Sequence, residues 1–240
     1  MFDTIHGFVI GSVHEHDRQA NIQELQKKMP GLQYEEAVYP AYVHVPFLNK
    51  MQKLSQLRTG QQLQPGEIGC LLSHRNIWHR IVRSDTPEEK MFLVLESDSG
   101  IKREEVLMVN FERISKAYDL FFWGAWEGHM QVYSSTRKQL SPGIDYGTPF
   151  IKTVYCTYGY SLNKKAAAYL LKQTRKTGYP VDQFKRFIRE GELRIGGVVP
   201  EVIATIPRNE SYIRGKRNAL KEWLLFLVLD CKNWIICFFK

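Results

Sequence analysis

Cysteine is scarce in this sequence, and no two of its four cysteines stand as a Cys-x-x-Cys pair. That spacing excludes a zinc knuckle and a dithiol redox motif. Cys70 and Cys156 sit in apolar runs, where reduced core cysteines are expected. No charged segment followed by an apolar one opens the chain, so secretion is not indicated and the cytoplasm is the expected compartment. No stretch is low in complexity and no fixed period repeats, which excludes solenoids and disordered linkers. Nor is there a recognised nucleic-acid-binding motif, and the aromatic residues are scattered. The net charge of +8 therefore points to other anionic partners, such as phosphorylated small molecules or a membrane surface, and not to nucleic acid.

What is present suits one α/β domain with a sizeable core, or two small ones: 240 residues, 44% hydrophobic and 24% charged. Gly7 to Gly11 reads as a first buried strand. Residues 15–29 carry Ile22, Leu25 and Met29 at helical spacing, and Pro30-Gly31 stops that helix. Residues 34–45 look extended. Residues 46–64 are polar and read as a flexible connection or a weak helix. Pro65-Gly66-Glu67 then opens a strong helix to about Arg83, with Glu67 at the positive end of its dipole. Met91 to Leu95 is a wholly apolar run and predicts a central strand buried on both faces. A helix over 103–116, a strand over 119–124, an irregular stretch over 127–153, a strand over 154–162 and a helix over 164–176 come next. Alternating strands and helices indicate a sheet with covered faces.

Three constellations could carry chemistry. Glu96 and Asp98 stand two apart in the turn after the central strand, where open α/β sheets bind their ligands. In an extended turn their carboxylates point the same way and could hold Mg2+ or Mn2+ with positions left open for phosphate oxygens; acids after a strand also serve simply as turn caps. The run Gly66-Glu67-Ile68-Gly69-Cys70-Leu71-Leu72-Ser73-His74 is a helix start bearing a histidine, which on a core helix commonly serves as hydrogen-bonded scaffolding. His74 and His79 fall on different faces and form no metal pair. Asp182 comes after the rigid Tyr179-Pro180 step, as a general base or as the N-cap of a helix over 183–190.

Taken together, these stretches resemble glycosyltransferase family 25, the lipooligosaccharide-synthesis family whose relatives include collagen galactosyltransferases. The resemblance rests on the helix run at 66–74 and the strand ending Leu95-Glu96-Ser97-Asp98. In the same order, Val9-Ile10 with Asp17-Arg18 matches the family's opening segment. Thr157, Tyr160 and Ala166 match its Gly-Thr-x-x-Tyr segment, Pro180 and Asp182 its Pro-x-Asp, and Pro200 to Ser211 its closing segment. The chain departs from the pattern at Ser97, usually Asp, at Gly11-Ser12, usually Asn-Leu, at His14-Glu15, usually an arginine pair, and at Cys156, usually Gly. The resemblance implies a GT-A-like fold with a mixed, mostly parallel sheet, a UDP-sugar donor, and inverting transfer of a hexose, galactose foremost. It implies a metal, Mn2+ or Mg2+, on Glu96 and Asp98, and nucleotide-sugar contacts from Ile10, Gly11, Ser12, Arg18 and Ser97. Asp182 is the expected base, ahead of Glu127, and Glu67, Ser73 and His74 shape the site. The altered positions leave a second reading, a non-catalytic nucleotide-sugar or glycan-binding relative.

The domain is expected to span 1–215. Residues 216–240 form a basic, then aromatic and apolar run that Asp230, Lys232 and Asn233 interrupt, too broken to span a bilayer. It suits an amphipathic helix lying on an anionic membrane, and equally a helix packed on the domain or at a dimer interface. A lipid-linked or oligosaccharide acceptor at the inner face of the cell membrane accords with the first.

Overall fold

The structure, a computed structural model, describes residues 4–206 except Cys156 and Thr177, together with residues 233 and 236–238. The expected helix of 216–240 thus lies almost wholly outside the described residues, as do Cys156 and residues 207–211 of the closing segment. Among the described residues no helix is long and apolar enough to cross a membrane.

The first strand, β1 (Gly7–Gly11), is buried at all five positions. A 3-10 turn at His16–Arg18 leads into α1 (Gln19–Lys28), which buries Ile22 and Leu25 and ends before Pro30. The extended region expected at 34–45 is a strand only in its first part, β2 (Leu32–Glu36), and continues as turns. The stretch at 46–64 does form a helix, α2 (Leu48–Thr59), which Gly60 ends at φ 73°. α3 (Pro65–Arg83) starts with proline in its first turn, where the missing N–H costs nothing. The Glu67 carboxylate accepts the Gln64 backbone N–H at 2.9 Å, capping that turn.

The apolar run becomes β3 (Phe92–Glu96); β4 (Ser99–Ile101) and α4 (Glu104–Ala117) come after the acidic turn. Next are β5 (Leu120–Phe122), β6 (Lys138–Ser141), β7 (Ile144–Gly147), β8 (Gly159–Leu162) and α5 (Lys164–Gln173). β9 (Ile195–Val199) and β10 (Ile203–Thr205) complete the strands. The irregular stretch expected over 127–153 contains a hairpin, β6–β7, turned at Gly143 with φ 71°. β6 is an edge strand, and β7 lies between it and β9.

The main sheet has the order β2-β1-β3-β8-β5-β9-β7-β6. It is mixed, as expected. Parallel pairing holds β2, β1 and β3 together and joins β5 to β9; the other neighbours run antiparallel. The surroundings of β3 explain why its sequence is apolar throughout. Phe92 and Val94 face α3 and α5, against Leu71, Trp78, Ile81 and Leu170. Leu93 and Leu95 face α1 and α4, against Ile22, Leu25, Leu107 and Ile114. A strand buried on both sides has no polar positions to alternate with. A separate pair, β4 and β10, runs antiparallel just after the acidic turn.

One buried charge ties the middle of the sheet together. Asp119 accepts from the Arg194 backbone N–H at 2.9 Å and from its guanidinium at 2.7 Å. It also accepts from Lys165 Nζ at 3.1 Å and Asn163 Nδ2 at 3.1 Å. Asn163 in turn caps α5 by accepting the Ala166 N–H.

Candidate active site

β1 and β3 run parallel, so both end at the same edge of the sheet. A cavity of about 360 Å3 opens there. Its floor is Ile10, Gly11 and the acidic turn Glu96-Ser97-Asp98. Its walls come from Glu15 and Arg18, from loop 37–41, from the first turns of α3, from Thr157, and from Pro180 to Asp182. Glu127 stands at its rim, at φ 54° in the left-handed region, with its backbone N–H donated to Tyr158 Oη at 3.0 Å.

The helix run explains itself in this setting. Gly69 is required because a Cβ there would stand 2.1 Å from the carbonyl oxygen of Val38. Ser73 donates to the Gly69 carbonyl at 2.9 Å and accepts the Val38 N–H at 2.8 Å. Glycine and serine thus fasten loop 37–41, and with it one cavity wall, onto α3. Cys70 and His74, a turn apart, both face Glu96.

Glu96 Oε1 is the focus of a donor cluster. It accepts from Thr157 Oγ1 at 2.5 Å and His74 Nε2 at 3.2 Å, with the Cys70 thiol at 3.9 Å. Behind His74, Nδ1 meets Tyr160 Oη at 2.8 Å, and Trp78 Nε1–H donates to the same Oη at 3.0 Å. Because Trp78 can only donate, the tyrosine hydrogen goes to Nδ1, which leaves the ring hydrogen on Nε2 facing the carboxylate. The order is therefore Trp78 to Tyr160 to His74 to Glu96. Thr157 and Tyr160, widely separated in sequence from the helix, meet its histidine at this one carboxylate.

Asp98 sits in a second network. Its Oδ2 pairs with Arg18 Nη2 at 3.1 Å. Arg18 Nη1 also donates to Glu15 Oε1 at 3.0 Å and Ser97 Oγ at 2.9 Å. Glu15 is itself held by Tyr39 Oη at 2.6 Å and the Ser12 N–H at 3.2 Å. The turn's backbone is pinned from outside. Asn21 Nδ2 donates to the carbonyls of Ser97 at 2.8 Å and Ser99 at 2.9 Å, and the Ile206 N–H donates to that of Asp98 at 2.8 Å.

The two carboxylates are driven apart in acidity. Burial would raise Glu96, but the His74 and Thr157 hydrogen bonds and the Arg18 charge outweigh it and hold it below the usual carboxylate range. Asp98 is pushed up to about 6 by burial and by the Glu96 charge, which Arg18 only partly offsets. Burial, then the charges of Glu96 and Asp182, push the Cys70 thiol up as well.

These donors define where a cation fits. Asp98 Oδ1 is buried and has no hydrogen-bond partner among the described residues, in a residue that lines the cavity. Together with Glu96 it offers hard oxygen ligands of the kind Mg2+ and Mn2+ take. Cys70, His74 and Glu96 also bring three ligand atoms within 4.8 Å of one another. In this structure these side chains are joined by hydrogen bonds, with His74 and Cys70 bracing the Glu96 carboxylate.

Of the residues expected from the sequence, Ile10, Gly11, Arg18, Glu67, Ser73, His74, Glu96, Ser97, Asp98, Glu127 and Asp182 all line this cavity. Ser12 does not: it is buried beside it, with Oγ donated to Glu36 at 2.7 Å. Asp182 does not cap a helix over 183–190. The chain beyond it makes a single 3-10 turn, Phe184–Arg186, whose cap position is Gln183. Cys70 is half-buried on the cavity wall, not in the core. Sequence reasoning overlooked Glu15 and Tyr39. Glu15 stands where the family pattern has an arginine, three residues before Arg18 with Asp17 between them, so nothing in the sequence singled it out.

The model of glycosyltransferase family 25, described as an LPS biosynthesis protein, matches residues 5–185. A "Glycosyltransferase 25 family member" of Drosophila melanogaster is 31% identical over 127 residues, covering 50% of this chain and 19% of that protein. "Procollagen galactosyltransferase 1" of Danio rerio is 31% identical over 131 residues, 52% of this chain and 20% of its own length. "Inactive glycosyltransferase 25 family member 3" of Homo sapiens is 30% identical over 138 residues, 52% of this chain and 21% of its own. The chain thus spans about a fifth of the length of these curated relatives.

Proposed function

The chain belongs to glycosyltransferase family 25, and from that premise we propose that it is a metal-dependent, inverting hexosyltransferase with a GT-A-like fold. The donor is a UDP-sugar, galactose foremost, and the acceptor a lipid-linked or other oligosaccharide. The observation that carries this reading is the buried Oδ1 of Asp98, without a hydrogen-bond partner among the described residues, in a turn it shares with Glu96 at the edge where β1 and β3 end. Glu96 and Asp98 would hold Mn2+ or Mg2+. When bound, the metal supplies Lewis-acid stabilisation of the charge that develops on the departing diphosphate.

The chain's own residues do the rest. Thr157, His74 and Cys70 hold Glu96 ionised and aimed. Arg18 stands at the cavity wall with a planar fork suited to phosphate oxygens. Asp182, which lines the same cavity, takes the proton from the attacking acceptor hydroxyl, with Glu127 as the next candidate. Ile10 and Gly11 at the end of β1 receive the nucleotide. The broken basic and apolar run at 216–240 supports a peripheral seat on the inner face of the membrane, where a lipid-linked acceptor would be met.

The test is Asp98→Ala with UDP and Mn2+ in isothermal titration, paired with donor hydrolysis across a panel of sugar nucleotides. Loss of metal-dependent UDP binding and of hydrolysis is expected. Full activity of this variant under chelation would sink the metal site. A second reading, a non-catalytic nucleotide-sugar-binding relative, is favoured by Ser97 in place of the usual aspartate; binding of UDP and Mn2+ without turnover on any donor would support it.

A further inference from the structure

We infer that Arg18 is the resident counter-cation of Asp98, and that nucleotide diphosphate and divalent metal bind cooperatively because the guanidinium leaves Asp98 for the phosphate. The inference rests on the proposed donor site and adds to it an order of events.

Arg18 is 8% exposed, and its guanidinium makes bonds to Glu15, Ser97 and Asp98. The anchors differ in kind. Glu15 is built in: buried, with both oxygens engaged by Tyr39, Arg18 and the Ser12 N–H. It serves as a pivot. Ser97 is a neutral acceptor where the family pattern has a carboxylate, so it holds the fork less firmly. Asp98 is held through one oxygen while its other oxygen is buried and without a partner. Asp98 thus has one oxygen on an arginine that it shares with Glu15 and one oxygen without a partner among the described residues, which leaves it unfilled as a ligand set.

Metal arriving alone meets Asp98 already paired with the Arg18 guanidinium and must compete with it. A diphosphate offers the fork paired oxygens at the same cavity wall and draws it off Asp98, while Glu15 keeps the side chain tethered. Asp98 is then free for the metal, which in turn holds the diphosphate. By linkage the metal must strengthen nucleotide binding by the same factor. Serine at 97 permits this exchange, since a third carboxylate beside Arg18 would hold it in place.

The test uses the full chain as wild type, Ser97→Ala and Arg18→Met. Mn2+ binding is read from the loss of the free-Mn2+ paramagnetic resonance signal, and UDP binding by isothermal titration. Wild type should bind Mn2+ about tenfold or more tightly with saturating UDP than without it. Ser97→Ala keeps every charge but removes one of the two acceptors on Nη1, leaving that arm to Glu15 alone and loosening the fork, so Mn2+ alone should bind more tightly and the UDP effect should shrink by the same factor. Arg18→Met should go further in both respects and lose UDP affinity without metal. Tighter Mn2+ binding in Arg18→Met with Ser97→Ala indistinguishable from wild type would overturn the exchange, since charge alone would account for it. UDP-independent Mn2+ binding by wild type would overturn it too. Should Arg18→Met fail to fold, as its melting curve would show, Ser97→Ala decides alone. Absence of Mn2+ binding in every protein with UDP present would instead remove the metal reading itself, and the exchange with it.

Discussion

Replacing Thr157 with valine deletes one oxygen and keeps the shape, and the structure says what that oxygen does. Thr157 Oγ1 donates to Glu96 Oε1 at 2.5 Å, and the threonine is 3% exposed. A hydrogen bond to an ionised group contributes about 1.5–3 kcal/mol. For a domain of this size that is a fall of roughly 3–12 °C in melting temperature. The effect has a pH signature. Burial opposes ionisation of Glu96, yet His74, Thr157 and Arg18 together hold its pKa below the usual carboxylate value. A depressed carboxylate contributes stability above its unfolded pKa of about 4.3 and loses it as pH falls through the folded one. The gap between wild type and Thr157→Val should therefore be full at neutral pH and shrink on acidification below that range. Thr157→Ser, which keeps the hydroxyl, should show no such pH-dependent gap. Melting curves of all three proteins on a pH series read this directly. A valine variant as stable as the serine one at neutral pH, or a gap indifferent to pH, would refute the claim that the hydroxyl holds Glu96 as an anion.

Asp119→Ala should cost about 2–3 kcal/mol, below the usual 3–5 for a broken buried pair because Arg194 and Lys165 are more than half exposed and regain water. Burial would raise the Asp119 pKa, but Arg194, Asn163 and Lys165 more than offset it. Its contribution is thus present above about pH 4 and lost as pH falls toward the folded value; equal acid sensitivity of variant and wild type would contradict this. Gly69→Ala should leave a folded protein whose UDP affinity falls, since the new Cβ forces Val38 and the cavity wall away from α3 at a cost of about 1–3 kcal/mol. Unchanged UDP titration in a folded Gly69→Ala would show that loop 37–41 does not form the binding wall.

Strands were legible where burial on both faces leaves no choice of residue, as at β1 and β3, and α3 was legible from its period and its proline start. The antiparallel members β5 and β8 were legible as strands, but not their pairing. β8 lies between β3 and β5 through long-range pairing that no local pattern encodes, and β9 carries a Gly196-Gly197 pair that weakens its signal. The acidic turn could be named but not its partners, because Thr157 and Tyr160 reach it across some sixty residues and more of intervening chain. Glu15 was unreadable for a different reason. Its meaning depends on Tyr39 and Arg18 closing around it, and an acid in a polar loop has the same appearance whether buried or solvated.

The backbone of Asp98 is fastened by the amide of Ile206, and the strand after it by β10. The family match ends at residue 185. On a ribosome, every side chain that touches Glu96 has emerged well before the segment that closes the turn at Asp98. The supports of the two acids, neighbours in sequence, are therefore completed at different moments of synthesis: the Glu96 carboxylate is braced once Tyr160 is out, whereas the backbone at Asp98 waits for Ile206 and the separate β4–β10 pair. A nascent chain stalled between those points would carry one finished half of the site and one unfinished half.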